Sequence, residues 1–254
     1  MKSVRRLAVA GIASVVMLTG VSSAGAAGTA LPHFGDVTCH GGNIKSGTYR
    51  SLRVVGFCTI PDGRTVIVRG NLVVAANAIL DSIHLGTVRV RDDLVVGRHA
   101  VLGFGCAPSA GCSATSSDVV GGSLRSYRAA ALLIHGNTIR HNIVIRRGGG
   151  SMNCASTALF GGPYFVAVED NAIGGNIRIS GVRSCWIGFI RDHVGGSVSV
   201  FNNRFGDPDA MEIVTNTIAG NLSCFNNDPQ AHFGDSGGSP NVVGGVKRGE
   251  CRNV

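Results

Sequence analysis

Apolar residues return along this chain at one repeated spacing. With Leu72, Leu94, Leu124, Ile143, Ile177, Val198, Leu222 and Val246 as anchors, the residue four before each is aliphatic: Val68, Val90, Val120, Ile139, Ile173, Val194, Ile218 and Val242. The residue two after is Val74, Val96, Ser126, Ile145, Ile179, Val200, Cys224 or Arg248, mostly small or medium and apolar. Alternation over so few residues predicts short strands with one face turned inward. The anchors are separated by 22, 30, 19, 34, 21, 24 and 24 residues. Self-similarity at that period, carried by strands, predicts a stacked β-solenoid of about eight coils.

Polar positions repeat with the apolar ones. Glycine and its companions precede the anchors in Gly70-Asn71, Gly122-Ser123, Gly175-Asn176, Gly196-Ser197, Gly220-Asn221 and Gly244-Gly245, as sharp bends between strands require. Six residues before the anchors stand Asp118, Asn137, Asn171, Asp192 and Asn216, a row expected to hydrogen-bond from coil to coil at equivalent corners. No cofactor or metal is expected. Calcium is the one ion that suits an Asx row, but this row holds only two carboxylates, several coils apart. The long gaps mark insertions at residues 103–117 and 148–163, and loops of this kind are where binding sites tend to sit.

The first 26 residues read as a secretion signal, outside the folded domain. Lys2, Arg5 and Arg6 precede an apolar stretch at residues 7–21, and Ala24-Gly25-Ala26 supplies a small-x-small cleavage site. No later segment is long and apolar enough to predict a membrane span. Residues 27–254 then form a single domain whose first part, to about residue 64, is expected to cap the open end of the solenoid. Loss of the three basic residues lowers the formal charge from +8 to +5. That mild excess suits an anionic polysaccharide or cell-wall polymer and does not indicate nucleic acid, for which no motif is present.

All eight cysteines follow the signal, an even number in a chain bound for an oxidising compartment. Sequence alone leaves many pairings open. Bonding needs Cα atoms within about 7 Å, and sequence neighbours fall on the same or adjacent coils. The economical set is therefore Cys39–Cys58, Cys106–Cys112, Cys154–Cys185 and Cys224–Cys251. The cysteines form no CxxC pair and the histidines lack ligand spacing, so zinc is not indicated.

Strands at coil-length period, inward aliphatic stacks, the Asn row and the secretion signal make the chain, from about Leu72 to Cys251, resemble the right-handed parallel β-helix superfamily, best known for pectate-lyase-like members. The resemblance is architectural. It implies an all-β, right-handed parallel β-helix braced by disulfides. Its members include polysaccharide lyases and glycoside hydrolases as well as non-enzymatic adhesins, so fold does not settle function. Ile190-Arg191-Asp192-His193 is similar to a Trp-Ile-Asp-His type signature of that superfamily, with Arg191 out of pattern, and Asp192 is already explained by the corner row. Asp207 and Asp209, with Glu212 close by, offer the paired carboxylates that an inverting hydrolase needs. Gly234-Asp235-Ser236-Gly237-Gly238 looks like the serine motif of chymotrypsin-like proteases; His40 and Asp92 or Asp93 would have to complete a triad, in a region that the coil repeat occupies.

Outward strand positions give a different chemistry. One residue after the anchors come Arg125, Arg178 and Lys247; three after come Tyr127, Arg146, Phe201 and Phe225. Stacked about 4.8 Å apart, they would form a ribbon of cations and aromatic rings suited to an extended acidic glycan. The expected protein is therefore secreted and non-catalytic, surface-structural or polysaccharide-binding. A lyase or hydrolase on the same scaffold, using Asp192, His193, Asp207 or Asp209, is the alternative, and a serine hydrolase using Ser236 ranks third.

Overall fold

A strand of three or four residues is stable only when its edges are paired, and in this chain the strands inside the stack pair with the equivalent strands of the coils above and below. The computed structural model describes residues 30–156 and 162–254. The expected secretion signal and residues 157–161 of the second insertion lie outside the described residues. β1 (His33–Asn43) pairs in parallel with β2 (Gly47–Thr59). β2 bends twice, so that successive parts of it pair with β3 (Thr65–Val68), β4 (Leu72–Val74) and β5 (Ile79–Ser82). These three directions become the three faces of a parallel β-helix whose sheet winds almost completely round its axis. The expected all-β parallel solenoid is what forms.

The anchors are rungs of the second face. Leu52, Leu72, Leu94, Leu124, Ile143, Ile177, Val198 and Leu222 align in register, each at most 1% exposed. Two details differ from the sequence expectation. Leu52 is a rung, so the segment read as a cap already contains a full coil and the stack has nine rungs; the cap itself is the single strand β1. At the other end Lys247, not Val246, pairs with Leu222. The Val246 amide instead donates to Asn221 Oδ1 at 2.9 Å, which places Val246 in the corner before the rung and leaves it exposed. Lys247 thus leaves the outward ribbon, and Arg248 takes its place beside Ser223.

Corners are where the sequence pays most attention to polarity. Between the third and first faces, Asp118, Asn137, Asn171, Asp192, Asn216 and Asn241 lie at successive corners, all at most 5% exposed. Asn241 joins the row once the last rung is Lys247. Asn171 donates its backbone N–H and its Nδ2 to Asp192 Oδ1 at 2.8 and 2.9 Å; the backbone N–H of Asp192 donates to Asn216 Oδ1 at 2.8 Å. A second row runs through the corner before the second face, from Asn71 through Asp93, Ser123, Asn142, Asn176 and Ser197 to Asn221. Glycine is required beside it: a Cβ on Gly195 would lie 2.6 Å from the carbonyl oxygen of Gly174 in the coil above. The corner after the second face uses left-handed residues, among them Asn77, His99, Arg128, Arg147, Asn202 and Asn226.

Four disulfides join the pairs expected from sequence, with Cα separations of 6.4, 6.0, 4.9 and 5.2 Å in chain order. The first fastens β1 to β2, and the last joins the strand Leu222–Phe225 to the closing turn Glu250–Asn253. Replacing both Cys224 and Cys251 by Ser is expected to lower stability by about 2–5 kcal/mol. Amide exchange should accelerate first in the terminal strand Lys247–Gly249; unchanged protection there would contradict the bracing role.

The buried acids in the Asn row carry a pH dependence. Burial pushes Asp118 up to about 7 and Asp192 well above the ordinary carboxylate range. Asp192 Oδ2 has no partner. In the coils on either side, Asn171 Nδ2 donates to the Ile134 carbonyl and Asn216 Nδ2 to that of Phe189. The residue between those two carbonyls in register is Val168, so a protonated Asp192 has Val168 O as its counterpart acceptor. A folded-state pKa above the unfolded one means that the unfolded chain holds fewer protons in between, so stability falls as pH rises from about 4 through the folded value. Asp192→Asn removes that loss and supplies the amide donor. Its stability, followed by thermal melting, is expected to exceed the parent's by a margin that widens as pH rises from about 4 to neutrality and reaches about 1–3 kcal/mol. Parallel melting curves for the two proteins across this range would contradict the assignment.

Candidate functional site

Two outward surfaces carry chemistry. On the third face the outward row runs in register from Asp81 through Gly103, Leu133, Ala167 and Gly188 to Glu212, five coil steps or about 24 Å. Its middle is kept low by small residues, and the insertions rise beside it. The result is a groove of about 760 Å³ along the helix axis. Ala110 of the first insertion lines it on one side; Cys154 and Pro163 of the second line it as well. Cys106–Cys112 closes the first insertion on itself and Cys154–Cys185 pins the second to the edge of the third face. Ser109 Oγ donates to Asp170, fastening the first insertion to the corner beyond the groove.

Trp186, the only tryptophan of the chain, lies across Gly188 in the volume that a Cβ there would fill. Its Nε1 donates to Glu212 Oε1 at 2.8 Å, and Glu212 Oε2 accepts the Ser236 backbone N–H at 3.2 Å. Phe165, one coil above in register, meets the indole edge-on with centroids 5.6 Å apart. At the upper corner Arg191 donates through Nε to Asp170 at 2.7 Å and through Nη2 to Glu169 at 2.9 Å. Burial pushes Glu169 upward against the pull of Arg191. Asp170 would be raised by its own burial, but hydrogen bonds from Arg191 and Ser109 hold it low. Burial pushes His135 down to about 4, so its ring is neutral at physiological pH. His135, Glu169 and Asp170 lie close enough to hold a metal ion, but Arg191 already bridges the two carboxylates.

The second face carries the ribbon. Tyr127, Arg146, Ser180, Phe201 and Phe225 stand side by side in register, four coil steps or about 19 Å. Beside them run Arg125, Val144, Arg178, Ser199 and Ser223. The Arg178 guanidinium sits 4.6 Å from the Phe201 ring centroid, and Arg128 5.4 Å from that of Tyr127. Arg125 is engaged by Asp93 at 2.9 Å. Tyr127 and Phe225 are each 52% exposed.

The sequence candidates are thereby separated. Asp192 is sealed inside the corner row, and His193, its neighbour, points outward on the first face, so the two cannot act together. Asp207 reaches the groove and uses Oδ1 to accept the Asp209 backbone N–H, while Asp209 faces His232 Nδ1 at 3.2 Å. Ser236 stands at the lower end of the groove with Glu212. His40 lies on β1 at the opposite end of the stack, so no triad joins them. Sequence reading passed over His135, Glu169 and Trp186, all outward residues of third-face strands. Among family models, curated proteins and solved structures, the chain has no match.

Glu212 is the post on which the lower groove is built. Glu212→Ala leaves Trp186 Nε1 and the Ser236 amide without their acceptor and is expected to cost about 1–3 kcal/mol. The emission of Trp186 should shift, while Glu212→Gln, which keeps an acceptor oxygen, should perturb it less. Equal emission in parent and Ala variant would contradict the role.

Proposed function

We propose that the protein is exported and non-catalytic, and that it holds an extended acidic polysaccharide along the ribbon of its second face. The observation that carries this reading is the Arg178 guanidinium stacked on Phe201, with the exposed Phe225 ring in register on the next coil. Cations meet the carboxylates of such a polymer while rings lie against its sugar faces, and the repeat of the coils presents both at regular intervals. Four disulfides fit an extracellular setting. Among the described residues no helix is long and apolar enough to cross a membrane.

A lyase or hydrolase is the second reading, favoured by the convergence of Asp207, Glu212 and Glu169 on one groove. Each of these carboxylates already has a partner in the fold: the Asp209 amide, the Trp186 indole with the Ser236 amide, and Arg191. A general acid needs a carboxyl free to pass its proton to the substrate, which weighs toward binding.

On an immobilised uronate polymer, Arg178→Ala is expected to weaken retention about two- to fivefold at low salt. That difference should vanish near 1 M salt, where the screening length falls to about 3 Å. Phe225→Ala should weaken retention at all salt concentrations, because apolar contact is not screened. Unaltered retention in both variants would overturn the ribbon. Release of oligomers from the polymer, abolished in Glu212→Gln, would establish the enzyme reading instead.

A further inference from the structure

The groove of the third face differs in charge from the ribbon, and the difference has chemical content. Among the described residues no lysine or arginine lines it, although the chain carries 23 of them. Its walls and ends present Asp81, Asp207, Glu212 and Asp235. Arg191 spends its guanidinium on Asp170 and Glu169; His84 Nε2 lies 3.6 Å from Asp81, and among the described residues Asp207, Glu212 and Asp235 have no cation beside them. His135 on the groove wall adds no positive charge, since burial keeps its ring neutral at physiological pH. A uronate chain would meet like charge here, so this groove is not a second site for the ribbon's ligand.

Shape and aromatic content narrow the choice. The groove follows the helix axis for five coil steps and is open along its length, which suits an extended chain more than a compact metabolite. Trp186 is held in place by the Nε1–Glu212 hydrogen bond and by its seat on Gly188, giving a fixed apolar platform among hydrogen-bond acceptors. Rings against sugar faces and carboxylates toward hydroxyl and ammonium groups are the contacts that a glycan makes. His135 supplies an independent sign of a ligand. It is 5% exposed, lines the groove, and leaves Nδ1 with no partner, a polar position that the fold alone does not satisfy.

We infer that the third-face groove is a binding cleft for an extended glycan bearing free amino groups, with Trp186 as its stacking platform and Asp207 and Asp235 as the counter-charges of the amines. The protein would then carry two glycan surfaces of opposite charge, an acidic groove and a basic ribbon, on adjacent faces of one rod. Such a molecule would join a basic polymer to an acidic one without any change of shape.

Calorimetric titration of the full chain with a hexamer of glucosamine, a hexamer of N-acetylglucosamine, a hexamer of galacturonate and hexalysine tests this directly. The glucosamine hexamer is expected to bind, with affinity falling as salt rises, and to bind more tightly than the acetylated one. Asp207→Asn and Asp235→Asn keep shape and acceptor oxygens and should each weaken it about two- to fivefold, with no effect on the galacturonate hexamer. Trp186→Ala should weaken it up to about tenfold; the two Asn variants decide the matter if this one is unstable. Arg178→Ala should leave the glucosamine hexamer unaffected, so failure of the groove and failure of the ribbon are separable. No binding of the glucosamine hexamer, binding unchanged in both Asn variants, or equal affinity for hexalysine would overturn the proposal.

Discussion

The hydrogen bond that runs along the axis, from one coil to the same place in the next, is the constraint on which the rest of this structure depends. Strands of two to five residues have no stability by themselves, and among the described residues there is no α-helix for them to pack against. Their backbone groups are satisfied only by the coil above and the coil below, so every rung must arrive in register. The corner rows extend the same bond to side chains, with Asn and Asp passing donors and acceptors down the stack where the backbone turns. Apolar stacking inside and amide ladders at the corners thus enforce one register together. A slip of one residue would expose the Leu rungs and unpair the ladder at once.

Function is a matter of what this rigid frame leaves outside. The first face has short strands and Gly-rich corners, and it gathers Arg69, Arg89, Arg91 and Arg140 over its upper coils. The second face aligns arginines and aromatic rings because outward positions of stacked strands fall at one height. The third face became a groove because both insertions leave the coil just before or just after it and are tied down by their own disulfides. Two of the four bridges therefore shape a surface, while the other two close the ends of the rod.

Much of this was legible in the chain. The second-face rungs, the first-face aliphatic positions, the corner row and the disulfide pairs could be read because they lie at constant offsets from an anchor. The third face could not. Its inward residues Leu80, Leu102 and Leu132 follow their anchors at one spacing, but Val166, Ile187 and Met211 do not, because insertions and an extra short strand intervene. With the offset lost, the parity that turns Trp186, Glu169 and Glu212 outward was lost too, and so was the groove. The terminal errors have a different cause. Leu52 stands outside the anchor series because the residue four before it is Thr48 and not an aliphatic one, and Val246 imitates a rung where the last coil lengthens by one residue.

The corner row is also where the account is most exposed to test, because it requires an acid at the heart of the ladder to behave as an amide. Carbon-13 labelling of the aspartate carboxyls, followed by NMR from about pH 3 to 8, reports the protonation of Asp192 directly. The account expects the Asp192 signal to change only well above the ordinary range of aspartate carboxyls, because burial disfavours its charged form. An Asp192 signal that moves with theirs would show the charge to be tolerated in the stack, and the ladder described here would be wrong.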